Sequence, residues 1–135
     1  MGVPTVKPIR LKELTVITGN NVTPTASVRL EVNGKEFVES ATGVGPVDAA
    51  INAIRKVGKE IANISLEDYY VKSITGGTDA VVEVVVRVKR GGRTVTASGA
   101  RGDIVMASVD AFLSGISMLL QDSSKNRGRV NRKPL

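Results

Sequence analysis

Hydrophobic and polar positions alternate along most of this chain, in blocks that recur. From Thr25 to Val32, Ala26, Val28, Leu30 and Val32 fall on one face, with Ser27, Arg29 and Glu31 on the other. That period of two predicts a half-buried strand. From Ala80 to Arg90 the pattern is sharper: Val82, Val84, Val86 and Val88 oppose Glu83, Arg87 and Lys89. Leu11–Thr18 and Leu66–Ile74 read as further strands, the second turning through Gly76-Gly77-Thr78-Asp79. Asn33-Gly34 predicts a type I′ hairpin turn, which needs positive φ at both central residues, and returns the chain as a strand from Lys35 to about Ala41. Gly91-Gly92 turns the next strand back into Thr94–Gly99. The period then lengthens twice. After Gly43-Val44-Gly45, Pro46 opens a helix with Val47, Ile51, Ile54 and Ile61 on one side and Arg55, Lys56 and Lys59 mostly opposite, closing at Asn63. A last helix begins near Ile104 and ends about Leu120, carrying Val105, Val109, Phe112, Ile116 and Leu119 at near-heptad spacing.

The blocks repeat at a fixed offset of 58 positions, from Gly34 to Gly92 and from Val47 to Val105. The expected fold is therefore α+β: two pseudo-symmetric βββα units whose antiparallel strands form sheet, with the two helices packed on one face. Residues 1–10 carry two prolines and read as a lead-in or linker. The first repeat spans 11–63, the second 64–120, and 121–135 form a polar, basic tail.

At 135 residues the chain is one domain with room for a core. Aromatics make up only 3% of it, so Val, Ile, Leu and Ala must build that core. With no cysteine and no histidine, thiolate chemistry, disulfides and the commonest transition-metal ligands are excluded. An enzyme would have to rely on Asp, Glu, Lys, Ser or Tyr. No apolar run is read as approaching the roughly 20 residues of a membrane span, and the start lacks the apolar stretch of a secretory signal; a cytoplasmic protein is expected. Of the net charge of +6, the segment after Leu120 contributes +4. The basicity thus belongs mostly to a terminus, and the aromatics are too few for a nucleic-acid stacking platform.

Candidate chemistry is sparse. Gly43-x-Gly45-Pro46 gathers backbone N–H groups at the positive end of a helix dipole, a geometry that attracts carboxylate or phosphate but equally makes a tight structural turn. Gly99-Ala100-Arg101-Gly102-Asp103 has the same two readings, with Asp103 as a candidate N-cap. Tyr69 and Tyr70 stand side by side on a strand, so alternation sends one ring to each face. Asp48 and Asp68 can salt-bridge, cap or bind a ligand ammonium. No acid–base pair, triad or metal cluster assembles from these residues, which leaves a binding or regulatory module.

Four segments in order, Ala41–Ala49, Leu66–Tyr70, Gly76–Ala80 and Gly102–Ser108, resemble one family: the C-terminal allosteric domain of 2-isopropylmalate synthase, shared with citramalate synthase. The resemblance covers roughly Val3 to Leu120; Ser117, where the family often has Asn, and the extension from Asp122 depart from it. It implies a dimer of βββα pairs that binds the end-product amino acid and inhibits a distant catalytic site. That site belongs to a barrel domain using acetyl-CoA, a 2-oxo acid and a divalent metal held by histidines, and this chain contains neither the barrel nor a histidine. The domain itself is then no enzyme and holds no cofactor. Leucine is the expected effector, with isoleucine, through citramalate synthase, as the alternative. A basic nucleic-acid-binding module or a pure dimerisation module are the readings from other classes.

Carried over position by position, the resemblance implies a pocket from Gly43, Val44, Gly45, Val47 and Asp48 at the first turn, and Leu66, Tyr69 and Ser73 on the next strand. Ala80 and Val82 follow, then Gly102 and Ile104 at the second turn. The first turn would supply N–H donors for the effector carboxylate, and Leu66, Val82, Ile104 and the Tyr69 ring an apolar pocket for its side chain.

Overall fold

The computed structural model describes residues 9–73 and 80–132. In chain order the elements are β1 (Arg10–Ile17), β2 (Thr25–Val32), β3 (Lys35–Thr42), α1 (Pro46–Arg55), α2 (Lys59–Ala62), β4 (Ser65–Ser73), β5 (Val82–Arg90), β6 (Arg93–Arg101) and α3 (Ile104–Arg132). The strands form two separate antiparallel sheets, β1-β2-β3 and β4-β5-β6. Helix α1 packs on β2 and β3, α3 packs on β5 and β6, and the two helices touch, joining the units. The βββα repeat is thus present, with each helix covering the sheet of its own unit.

Both hairpins turn as their sequences require. Asn33 and Gly34 have φ of 53° and 83°, the type I′ signature, whereas at the second turn Gly91 has φ of 61°, as at the first central residue of a II′ turn. The repeat extends to register. Ala26 pairs with Ala41 and Val32 with Lys35; 58 positions on, Val84 pairs with Gly99 and Arg90 with Arg93. Both first strands carry a bulge at the same place, between Leu11 and Glu13 and between Leu66 and Asp68. These strands are offset by 55 rather than 58, so the second unit has the longer connection to its middle strand. The expected Gly76–Asp79 turn falls in that connection, outside the described residues. The cross-strand ion pair after each bulge is repeated too: Arg29 Nε lies 3.4 Å from Glu13, and Arg87 meets Asp68. The hydrogen bond to Glu13, and after it Glu36, raises the pKa of Arg29 above its ordinary value.

Inward faces make the core. Ala26, Val28 and Leu30 of β2 meet Ala49, Ala50, Ala53 and Ile54 of α1; Val84, Val86 and Val88 of β5 meet Val109, Phe112, Ile116 and Leu119 of α3, all essentially fully buried. Burial of Phe112 alone contributes about 1.5–3 kcal/mol. Small residues set the spacing. A Cβ on Gly99 would sit 2.5 Å from the Ala107 carbonyl oxygen and 2.8 Å from the Ala111 nitrogen, so α3 lies directly on the β6 backbone.

Three expectations need correction. The helix predicted over 46–63 breaks: Lys56 and Val57 donate to Ala53 and Ile54 three residues back, and α2 restarts after extended Gly58. Tightened terminal bonds and a poor helix former end the first segment, and the bend still delivers Ile61 and Ile64 to the core. Helix α3 runs past Leu120 to Arg132. The first proline after Leu120 is Pro134, and basic residues near a helix C-terminus suit its dipole. Finally, Ile104–Gln121 is long and apolar enough by composition to cross a membrane. Half of that stretch is buried in the protein, however, and its apolar stripe packs on β5, as in the core helix of a folded domain.

Candidate functional site

The two helix starts, related by the repeat, are built differently. At α3, Asp103 is the N-cap expected from sequence: its Oδ1 accepts from the N–H groups of Val105 at 2.7 Å and Met106 at 3.0 Å. The equivalent of Asp103 in the first unit is Gly45, which caps α1 without any side-chain hydrogen bond. Pro46 removes one donor, and the N–H groups of Val47 and Asp48 have no acceptor within the first turn. Two of the turn's other donors are spent internally: Gly43 N–H on the Pro24 carbonyl at 3.0 Å and Val44 N–H on Asp48 Oδ2 at 2.9 Å. A Cβ on Gly43 would lie 2.4 Å from the Ala49 nitrogen, which holds the turn against the helix start. Among the described residues, the α1 N-terminus is thus an open donor site, and the α3 N-terminus a closed one.

A cavity of about 510 Å³ opens beside the start of α1, between that helix and β4. Val47, Asp48, Leu66 and Tyr69, four of the residues singled out from sequence, line it together. Sequence reasoning missed Ile51, Asn52, Arg55 and Ser65 on the same walls. Positions 47, 48, 51, 52 and 55 recur at helical spacing, a signal available once Val47 and Asp48 were chosen. Asp48 presents a carboxylate whose Oδ2 also receives Asn52 Nδ2 at 3.5 Å. Arg55 donates through Nη2 to the Ala62 carbonyl at 3.1 Å, while its buried Nε has no partner among the described residues.

Tyr69 connects this cavity to the second helix start. Its hydroxyl lies 2.7 Å from Ser108 Oγ, which donates its own proton to the Ile104 carbonyl, also at 2.7 Å. Ser108 has one proton to give, so Tyr69 is the donor in the first of these bonds. Ser108 is fully buried and was not foreseen; its position one turn after Ile104, inside an apolar stripe, was the available clue. Tyr70, its side chain 56% exposed, lies further from packing than Tyr69 at 36%. Asp68 is engaged by Arg87.

The remaining predicted residues lie apart from the cavity walls. Val44 is 94% exposed at the first turn, and Ile104 is 42% exposed at the second. Gly102 sits 3.9 Å, from an added Cβ, to the Ala80 carbonyl, and Val82 pairs with both Ser73 and Arg101 at the start of β5. Ala80, Val82, Gly102 and Ile104 therefore gather at the α3 start, where Ile104 is linked to Tyr69 by two hydrogen bonds through Ser108. Among the described residues, no group of three or more Asp or Glu side chains comes together to hold a metal.

Such an arrangement can take a small zwitterion with an apolar side chain: backbone donors without a partner among the described residues at a dipole's positive end, a carboxylate beside them, and a wall of Val47, Ile51, Leu66 and Tyr69. A "(R)-citramalate synthase CimA" of Methanocaldococcus jannaschii is 52% identical over 114 residues, covering 83% of this chain but 23% of that protein. An Archaeoglobus fulgidus protein whose name assigns it the same activity provisionally is 57% identical over 113 residues, 84% of this chain and 23% of that protein. A "Probable 2-isopropylmalate synthase" of Methanopyrus kandleri is 50% identical over 113 residues, 82% of this chain and 23% of that protein. The chain thus spans about a quarter of the length of these relatives. The model of the LeuA allosteric (dimerisation) domain matches residues 1–120, and the chain belongs to that family.

Proposed function

We propose that this chain is the effector-sensing regulatory domain of an acyltransferase that condenses acetyl-CoA with a 2-oxo acid, and that it binds a branched-chain amino acid as feedback inhibitor. The observation that carries this reading is the cavity at the open start of α1. The effector carboxylate takes the N–H groups of Val47 and Asp48, its ammonium takes the free oxygen of Asp48, and its aliphatic side chain runs along Ile51, Leu66 and Tyr69. Acetyl-CoA and a divalent metal are assigned to a separate catalytic domain.

Isoleucine is the better-supported effector, because the resemblance ties it to citramalate synthase, and relatives carrying that name match at 52% and 57% identity. Leucine is the second reading, supported by the relative named for 2-isopropylmalate synthesis. The two ligands differ by the place of one methyl group, worth about 1–3 kcal/mol in such a pocket. We further propose a homodimer, in keeping with the family's dimerisation role, with the exposed Val44 covered by the second copy. Thermal unfolding with added isoleucine, leucine or valine tests the reading. A ligand at 100 times its Kd stabilises by about 2.7 kcal/mol, a rise of several degrees in Tm. An unchanged Tm with all three at millimolar concentration rejects amino-acid sensing by this chain.

A further inference from the structure

A second cavity, of about 700 Å³, lies between the start of the chain's first sheet and α3. It occupies the place that the repeat generates from the first one. The first cavity joins α1 of one unit to β4 of the other; the second joins α3 to β1. Wall positions correspond: Leu66 with Leu11, Asp48 with Met106, Asn52 with Asp110, and Arg55 with Leu113. The charged groups do not correspond. Asp48 and Arg55 have become Met106 and Leu113, yet an acid and a guanidinium are present again, from Asp110 on α3 and from Arg101 at the end of β6. Position 101 is equivalent to Gly43, where no side chain fits. A charge pair supplied anew from non-equivalent positions is not a remnant of duplication.

Asp110 Oδ2 holds Arg101 Nε at 2.7 Å. That contact orients the guanidinium, whose side chain is 53% exposed and carries five donors, more than one acid can occupy, so that it can also meet a carboxylate. Leu11, Met106, Leu113 and Met118 flank the fork with aliphatic surface. We infer that this cavity is a second ligand site, taking a small aliphatic carboxylate whose head binds the terminal nitrogens of Arg101 and whose tail lies on Leu11, Leu113 and the two methionines. The Asp110 carboxylate has acceptor capacity beyond one bond to Arg101 and can accept an α-ammonium, so an amino acid and its 2-oxo acid share the required chemistry. The inference does not depend on what the first cavity binds.

Two of the chain's three methionines line this cavity, so methyl-labelled methionine reads it directly by NMR. The full chain is titrated with isovalerate, 2-oxoisovalerate and isoleucine. Saturable shifts of the Met106 and Met118 methyl signals with any of the three are expected, and their ranking tells whether the ammonium is used. Arg101→Leu should weaken the response about tenfold or more, since a hydrogen bond to a charged group is lost. Ser114→Trp, at an exposed position on the cavity wall, should block it without disturbing the fold. No saturable shift with any ligand, or the same curves in Arg101→Leu and Ser114→Trp, overturns the second site whatever the first cavity does.

Discussion

Replacing Gly45 by serine should make the domain slightly more stable and a worse sensor. Gly45 has φ of −157° and ψ of 177°, an extended conformation open to any residue, and a Cβ there would meet nothing within 4 Å. Sterics therefore do not explain the glycine. Its counterpart Asp103 caps α3 with two bonds, at 2.7 and 3.0 Å. A serine at 45 would turn its hydroxyl oxygen onto the same first-turn donors in α1, for a gain of a few tenths of a kcal/mol over glycine. On our reading those donors hold the effector carboxylate. Hydrogen bonds to a charged group contribute about 1.5–3 kcal/mol each, so capturing even one should weaken binding about tenfold to more than a hundredfold. Denaturant unfolding gives the first quantity and equilibrium dialysis with labelled isoleucine the second. Undiminished affinity in Gly45→Ser would refute the placement of the carboxylate at the α1 start.

Asp103→Ala should cost about 1 kcal/mol in urea unfolding, as loss of a helix cap does, while effector affinity changes little, because that turn is already closed. Gly99→Ala forces a Cβ to within 2.5 Å of the Ala107 carbonyl oxygen, where backbone faces backbone; a loss of about 1–3 kcal/mol is expected, and a silent substitution would mean α3 sits farther from β6 than described. Val44→Asp removes an apolar side chain that is 94% exposed, so the monomer's melting temperature should hold while light scattering shows a weakened dimer. A dimer of unchanged affinity would take Val44 out of the interface.

Much of the fold was written in local chemistry. Alternation at Thr25–Val32, the Asn33-Gly34 turn and Pro46 are decided by neighbours in sequence, and their boundaries in the structure agree. What escaped depends on distance. The break at Lys56–Gly58 is a compromise between helix period and the need to seat Ile61, and periodicity alone carries the apolar stripe straight through it. Ser108 reads as an ordinary helical serine until Tyr69, 39 positions away, is placed against it. Of the cavity, Val47, Asp48, Leu66 and Tyr69 came from motif resemblance; Asn52 and Arg55 follow Asp48 at helical spacing, but which face of α1 borders a cavity is settled only when the helix is set beside β4. The repeat predicted the scaffold but not its asymmetry: the open cap at Gly45 and the closed one at Asp103 are equivalent positions with opposite chemistry.

Calorimetric titration of the domain with isoleucine and leucine, in wild type and in Tyr69→Ala, is the most direct test of the account. Tyr69 gives its ring to the cavity wall and its hydroxyl to Ser108, so it bridges ligand and second helix. Saturable heat in the wild type that disappears in the folded Tyr69→Ala variant is the predicted result. Equal binding by both proteins, or no heat from either amino acid, would contradict it.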